Sequence, residues 1–331
     1  MQPRAIVTVD GQPVAGAFYE RLISLAVADR DGARADTVSM ELADGPPAFL
    51  ALPRRGALVR VQLGYVGAGL RDMGGFTVDQ VSGGCLPYSM TITGRSADLR
   101  AGKMKERKER HWDHKTLGDI IEEIAGENGL TPVVSGKIGS HVYDWLGQQD
   151  ESDMHFLQRL AERHNALFTV KEGRLVFVEK GAGAAASGQA LATVIITPER
   201  VITGTCRYQF ADRAKYRKVV AYYQDRDEAK RKEIGVDADP DGEATYRIPE
   251  PFASPAEADK AAQAKARELM RGGLTASVSV PGDTSIRAGA PLKFARVRAG
   301  LDDEDLIIDT ATHRLDKSKG YVTEISGKSK K

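Results

Sequence analysis

The chain has 331 residues, more than one ordinary core requires, so two or three domains are expected. Its 41% hydrophobic and 28% charged content excludes wholesale disorder. The 47 basic and 46 acidic side chains nearly cancel, which argues against nucleic-acid binding driven by net charge and leaves only local patches. Two cysteines, Cys85 and Cys206, are too few for a disulfide framework and fit assembly inside the cell. The N-terminus carries no apolar run of signal-peptide length, and no stretch reaches the ~20 apolar residues of a membrane span. A soluble chain made in the cytoplasm, without membrane anchoring, is expected.

The first 97 residues alternate with period two. Ala5–Val9, Leu22–Val27, Val38–Leu42, Leu58–Leu63, Phe76–Val81 and Ser89–Thr93 form runs separated by Gly, Pro and Asp. That is the pattern of antiparallel strands with one apolar face. A helical period follows. Thr116 and Asp119 form a capping pair, Leu117, Ile120, Ile121, Ile124 and Ala125 share a face, and Asn128-Gly129 marks the stop. A second helix spans Glu151 to His164, with Phe156, Leu157, Leu160 and Ala161 inward. Leu167–Val170 and Leu175–Val178 flank Lys171-Glu172-Gly173-Arg174 as a hairpin.

Gly181 to Gly188 reads as a flexible linker. Strands resume at Val201–Phe210, Lys218–Tyr223, Leu274–Val280, Leu306–Asp309 and Tyr321–Ser326. One helix interrupts them, capped by Ser254-Pro255-Ala256-Glu257, buried through Ala258, Ala262, Ala266, Leu269 and Met270, and ended by Gly272-Gly273. The expected fold is mainly β: two related antiparallel β-barrels plus a small α/β module. Residues 1–97 form the first barrel, 98–180 the module and 181–190 the linker. Residues 191–331 form the second barrel, with a helix inserted near 254–271.

The relation between the two halves rests on a repeat. Gly56-Ala57-Leu58-Val59 resembles Gly289-Ala290-Pro291-Leu292, and Phe76-Thr77-Val78-Asp79 resembles Ile307-Ile308-Asp309. Thr91-Ile92-Thr93-Gly94-Arg95-Ser96 resembles Glu324-Ile325-Ser326-Gly327-Lys328-Ser329. Gly94 follows Gly56 by 38 residues, and Gly327 follows Gly289 by 38, with a three-residue shift of the middle strand. Duplicated units would let three chains form a ring of six similar parts.

Residues that could carry chemistry have plainer readings. His111-Trp112-Asp113-His114, with His141, His155 and His164, could suggest a metal, but no partner pair sits at ligand spacing, so a solvated connector or interface is expected. His155 and His164 suit packing or capping. Glu151 and Asp153, with Glu122 and Glu123, could be a glycosidase pair, but acids at a helix start complement its dipole. Ser152 lacks a nucleophile elbow. The run Lys103 to Arg110 mixes bases and acids without interleaved aromatics, and reads as a solvated face or a dock for an acidic neighbour. Lys328 to Lys331 reads as a frayed end. Gly181 to Gly188 is not followed by a phosphate-loop Lys-Ser pair. No catalytic, cofactor-binding or metal residue is assigned.

Gln148 or Gln149, then Glu151-Ser152-Asp153, Phe156-Leu157, Arg159-Leu160-Ala161 and Gly173-Arg174-Leu175-Val176-Phe177 resemble the signature of the phage late control gene D family. Gly94-Arg95-Ser96-Ala97-Asp98-Leu99, Thr116-Leu117 with Ile120 and Ile121, His313-Arg314-Leu315 and Gly320-Tyr321-Val322-Thr323 fall in the family's order. The chain is also similar to the N-terminal part of type VI secretion spike proteins (VgrG), which continue into a fused spike. The resemblance implies a non-enzymatic baseplate hub of a contractile tail, in a phage or tailocin particle. It implies a homotrimer that joins the tail tube protein to a separate central spike protein, beside baseplate wedge proteins. Tape-measure protein and DNA would pass through the lumen without specific binding. The alternatives are a tail-tip cell-wall hydrolase, a distal tube adaptor or a type VI spike fragment.

Overall fold

The computed structural model describes residues 2–14, 16–32, 34–96, 102–171, 173–179, 191–211, 216–225, 230–270 and 273–330. The N-terminal strands are β1 (Pro3–Val9), β2 (Gln12–Pro13), β3 (Leu22–Arg30), β4 (Thr37–Ala43), β5 (Leu58–Tyr65), β6 (Gly69–Cys85) and β7 (Tyr88–Ser96), with the short helix α1 (Gly16–Arg21) between β2 and β3. Period-two patterning does what it predicts. β4 buries Val38, Met40 and Leu42, and β5 buries Val59, Val61 and Leu63, so their apolar sides form one core with Leu25, Val27 and Phe76.

A module follows: β8 (Arg107–Thr116), α2 (Leu117–Glu127), β9 (Thr131–Val134), α3 (Gly136–Gly139), β10 (Val142–Ser152), α4 (Asp153–Arg163), β11 (Ala166–Lys171) and β12 (Arg174–Glu179). Thr116 caps α2 as its sequence requires. The Thr116 hydroxyl accepts from the Asp119 N–H at 3.1 Å, and the Asp119 carboxylate accepts from the Thr116 N–H at 3.3 Å. The inward faces of α2 and α4 meet Phe168, Leu175 and Phe177 of the β11–β12 hairpin in one core.

The C-terminal half comprises β13 (Val194–Ile196), β14 (Arg207–Phe210), β15 (Tyr216–Asp225), β16 (Lys230–Asp237), β17 (Ala244–Phe252), α5 (Pro255–Met270), β18 (Leu274–Pro281), β19 (Pro291–Phe294), β20 (Leu306–Asp316) and β21 (Gly320–Ser329). The Ser254 hydroxyl accepts from the Glu257 N–H at 3.2 Å and starts α5. The alanines of α5 pack on Val219, Ala221 and Phe252 of a separate three-stranded sheet, β16-β15-β17.

The expectation of two β-barrels is wrong. One open sheet of 13 strands runs through both halves in the order β14-β18-β21-β20-β3-β4-β7-β6-β5-β1-β2, with β13 and β19 branching beside β20. The reason is the use of edges. β3 pairs with β4 on one side, and its other edge pairs antiparallel with β20 from Ser24↔Asp316 to Arg30↔Thr310. A strand flanked on both sides has no edge left with which to close its own half.

Candidate assembly site

Each half carries the same turn and bulge, matched at the level of single hydrogen bonds. Gly56 (φ +92°) donates to the Val78 carbonyl at 2.8 Å, and Val78 donates to Ala57 at 3.0 Å. Gly289 (φ +81°) donates to Ile308 at 2.8 Å, and Ile308 donates to Ala290 at 2.9 Å. Each middle strand then carries a bulge at the next residue. The ladder steps from Val78↔Gly94 to Gln80↔Thr93 in one copy, and from Ile308↔Gly327 to Thr310↔Ser326 in the other. The residues left over, Asp79 and Asp309, receive equivalent cations: Arg95 at 3.1 Å from Asp79, and Lys328 on Asp309. The expectation of a frayed tail at Lys328 is thereby corrected, because Lys328 lies inside β21.

The bulge explains the glycine that faces it. A Cβ on Gly94 would stand 2.8 Å from the Thr77 carbonyl oxygen and 3.2 Å from Val38 Cγ1. Gly94→Ala is expected to cost about 1–3 kcal/mol, the range for overpacking against atoms that resist displacement. Gly327→Ala, whose nearest obstacle is the terminal methyl of the Leu292 side chain at 2.7 Å and not backbone, should cost less. Thermal unfolding of the two variants checks the order.

The copies leave matching edges open. Among the described residues, β14 pairs only with β18, and all four of its residues are exposed. Tyr208 and Phe210 meet edge-to-face at 5.8 Å and remain 39% and 52% exposed. In the N-terminal half, β5 pairs with β6 only as far as Thr77, so among the described residues Gln80–Cys85 is paired on one side alone, with β7. A cleft of about 790 Å³ runs beside that segment, between Ser82–Cys85 and the exposed Phe49 and Leu52.

The signature residues build the inside of the module. Gln148, rather than Gln149, is the buried glutamine, at 0% exposure. It donates to Asp153 Oδ1 at 3.0 Å, while Arg110 donates to the same oxygen at 2.8 Å. Lys108 and Asn128 donate to Oδ2 at 2.7 and 3.2 Å. Glu127 completes the cluster, taking Arg110 at 2.7 Å and Lys108 at 3.0 Å. Burial would raise the Asp153 carboxyl, but the hydrogen bonds and the Arg110 charge hold it below the usual range. Glu151 pairs with Arg159, and Ser152 caps α4 by accepting from the His155 N–H at 3.2 Å.

Other expectations for single residues change accordingly. Lys108 and Arg110 are not a solvated face. They alternate inward along β8 with Trp112 and meet acids of the same chain. His111 lies on the outer face of that strand, stacked on Trp145 at 6.4 Å, and is not in a connector. Glu123 accepts from Trp112 Nε1 at 3.1 Å, apart from the Asp153 cluster and from the Glu151–Arg159 pair. His164 ends α4 and bonds Tyr143 at 2.6 Å, as packing or capping requires. Ala97–Leu99, Glu172, Gly181–Gly188, Gly272 and Lys331 lie outside the described residues.

Lys171 fastens the module to the sheet. Its ammonium lies 2.8 Å from Asp29 and 3.1 Å from Asp36, and Asp29 also accepts from the Ala288 N–H at 3.1 Å. Module, N-terminal half and C-terminal half thus meet at one ionic joint. A second joint was not legible beforehand. His313 Nε2 donates to the Ile286 carbonyl at 3.1 Å, which leaves Nδ1 to accept from the Tyr321 hydroxyl at 2.8 Å.

The buried polar clusters of this chain fix its parts against one another, and among the described residues two of its strand edges stay open. The family model for the phage tail baseplate hub (GPD) matches residues 22–318. The chain is 31% identical to the probable baseplate hub protein of Escherichia phage P2 and 30% identical to that of Escherichia phage 186, in each case over 98% of this chain and 92% of the relative. The crystal structure of the 43 kDa tail protein of prophage MuSo2 from Shewanella oneidensis superposes with a TM-score of 0.76 at 16% identity, covering 98% of both chains. The chain belongs to the phage tail baseplate hub family. It is a virion structural protein of the tail baseplate, and not an enzyme.

Proposed function

We propose that three copies of this chain form the ring that joins the tail tube to the central spike. The observation that carries this reading is the head-to-tail order of the two copies within one open sheet. A sheet that repeats its unit and ends on unpaired edges is a heterologous building block, and a closing rotation turns such blocks into a ring. Three chains of two units each would present six similar surfaces to a sixfold tube and three identical chains to a threefold spike. The partners are then the tail tube protein on one face and the spike protein on the other, with baseplate wedge proteins outside. Tape-measure protein and DNA would pass through the lumen, held by no specific contact.

A particle reconstruction tests this directly. Three copies at the tube–spike junction are expected. Six copies, or a position away from the axis, would remove the reading.

A further inference from the structure

The segment between β14 and β18 is a small unit with its own core. Its ends are tied at the sheet, where the Ala211 N–H donates to the Gly273 carbonyl at 2.7 Å. Within it α5 covers the β16-β15-β17 sheet, and α5 also packs on α4 of the module. Two units with separate cores and a shared side-chain interface can part without either unfolding.

That interface is built around two histidines. His141 precedes β10 and His164 ends α4, with ring centroids 4.9 Å apart. The Lys260 ammonium reaches across from α5 and donates to His141 Nδ1 at 2.7 Å. An ammonium has protons to give and no lone pair to offer, so this bond exists only while Nδ1 is unprotonated. Behind the pair lies Tyr143, 1% exposed, its hydroxyl 2.6 Å from His164 Nε2 and its ring centroid 4.6 Å from that of His141. Arg163 of α4 lies over the ring of Phe252, at the end of β17, at 5.4 Å. The charged groups that meet here are Arg159 and Arg163 of α4, Lys260 and Glu257 of α5, Asp144 of β10 and Glu250 of β17. Glu162 of α4 faces Lys265 of α5 further along. The charges that act on the two rings are cations: Lys260 on both, and Arg163 on His164.

We propose that His141 and His164 form an acid-sensitive latch: neutral, they hold the α5 unit on the module, and protonated, they release it while both cores stay folded. A proton on His141 Nδ1 removes the acceptor and sets two cations against each other across the bond that closed the interface. A second proton, on His164, adds a cation beside the first and next to Arg163. Burial lowers His141 from 6.5 to about 4 and His164 from 6.5 to about 3, with Lys260 adding to both. Groups held low in the closed state favour closure above 6.5, and that preference is lost as pH falls. Between pH 7.5 and pH 5 each ring should raise the opening equilibrium by roughly 10–30-fold. Glu257, pushed up by burial, acts in the opposite sense and offsets part of this.

Hydroxyl-radical footprinting of the full chain, read residue by residue by mass spectrometry, tests the latch. Tyr143 and Phe252 border the interface, whereas Phe168 and Phe177 lie inside the module at 1% and 0% exposure. From pH 7.5 to pH 5, oxidation of Tyr143 and Phe252 should rise several-fold while that of Phe168 and Phe177 stays level. His141→Gln with His164→Gln keeps acceptors for Lys260 and Tyr143 but takes up no proton, so its pattern should stay closed at pH 5. Lys260→Glu, at an exposed position, turns the partner into an anion that a protonated ring attracts. Its rise should be smaller than in the wild-type chain, and it keeps the test standing if the double variant does not fold. Level oxidation of Tyr143 and Phe252 in the wild-type chain would overturn the latch. So would a rise shared by Phe168, because the module would then be unfolding and not parting from α5. A rise as large in the variants as in the wild-type chain would place the sensor elsewhere.

Discussion

Replacing Asp153 with alanine is expected to destabilise the protein by about 3–5 kcal/mol, the cost of removing one partner from a buried ion cluster. The Asp153 side chain is 0% exposed, and Lys108 and Arg110, only 25% and 20% exposed, would lose the anion they face. Glu127 would remain, but at 39% exposure it sits at the rim, and Gln148 and Asn128 would each lose one acceptor while keeping the Glu151 and Ile124 carbonyls. Asp153→Asn keeps the shape and part of the bonding and should lose less. Urea unfolding followed by Trp112 fluorescence reads the module itself, because that ring packs on Phe156 at 5.1 Å. A loss below 1 kcal/mol would show that the cluster is dispensable. Since the Asp153 carboxyl lies below its ordinary range in the fold, its contribution is present above the unfolded value of about 3.8 and lost as pH falls.

A second large effect is expected with acid. Burial lowers His313 from 6.5 to about 4 and His164 from 6.5 to about 3, with nearby cations adding to the effect. A histidine held neutral in the fold contributes stability that is present above the unfolded value and lost as pH falls toward the folded one. The window is therefore pH 6.5 to about 4, and each of the two groups should remove roughly 2–3 kcal/mol across it. Asp36 acts in the opposite sense. Burial, with Asp29 beside it, pushes its carboxyl up to about 6 despite Lys171, so it gains stability over pH 6 to 4 and offsets part of the loss. His313→Gln should be less stable than wild type at pH 7, because Tyr321 and Ile286 lose a ring shaped to reach both. Its stability should nevertheless vary less between pH 7 and pH 4.5. An unchanged slope in that variant would mean that His313 is not the sensor.

Much of the module could be read from the chain because its signals are local. The Thr116–Asp119 cap, the Ile120–Ile124 face and the Phe156–Ala161 face depend on residues three or four apart, and the structure places them where that spacing puts them. β8 was hidden for a physical reason. Its inward side chains are Lys108 and Arg110 as well as Trp112, so a period of two existed in direction but not in hydrophobicity. Ions belong on that inward face only because Asp153 and Glu127 arrive from distant parts of the chain. β16 escaped for a similar reason, since Lys230, Arg231 and Lys232 open a strand whose support is α5.

Richness in strands, the helical module that interrupts them, and the likeness of the stretches around Gly94 and Gly327, 233 residues apart, can all be read along the chain. Those features are written in periodicity and spacing, which a chain carries whether or not it is folded. Tertiary structure alone decided which edge each strand spends. Leu25 and Val27 alternate as well for a closed barrel as for an open sheet, because alternation specifies the buried face and is silent about the hydrogen-bonding neighbour. The neighbour is chosen when β20 reaches β3, a pairing across nearly the whole chain. That choice turned two expected barrels into one open sheet, and left β14 and the end of β6 as the edges from which a larger assembly can grow.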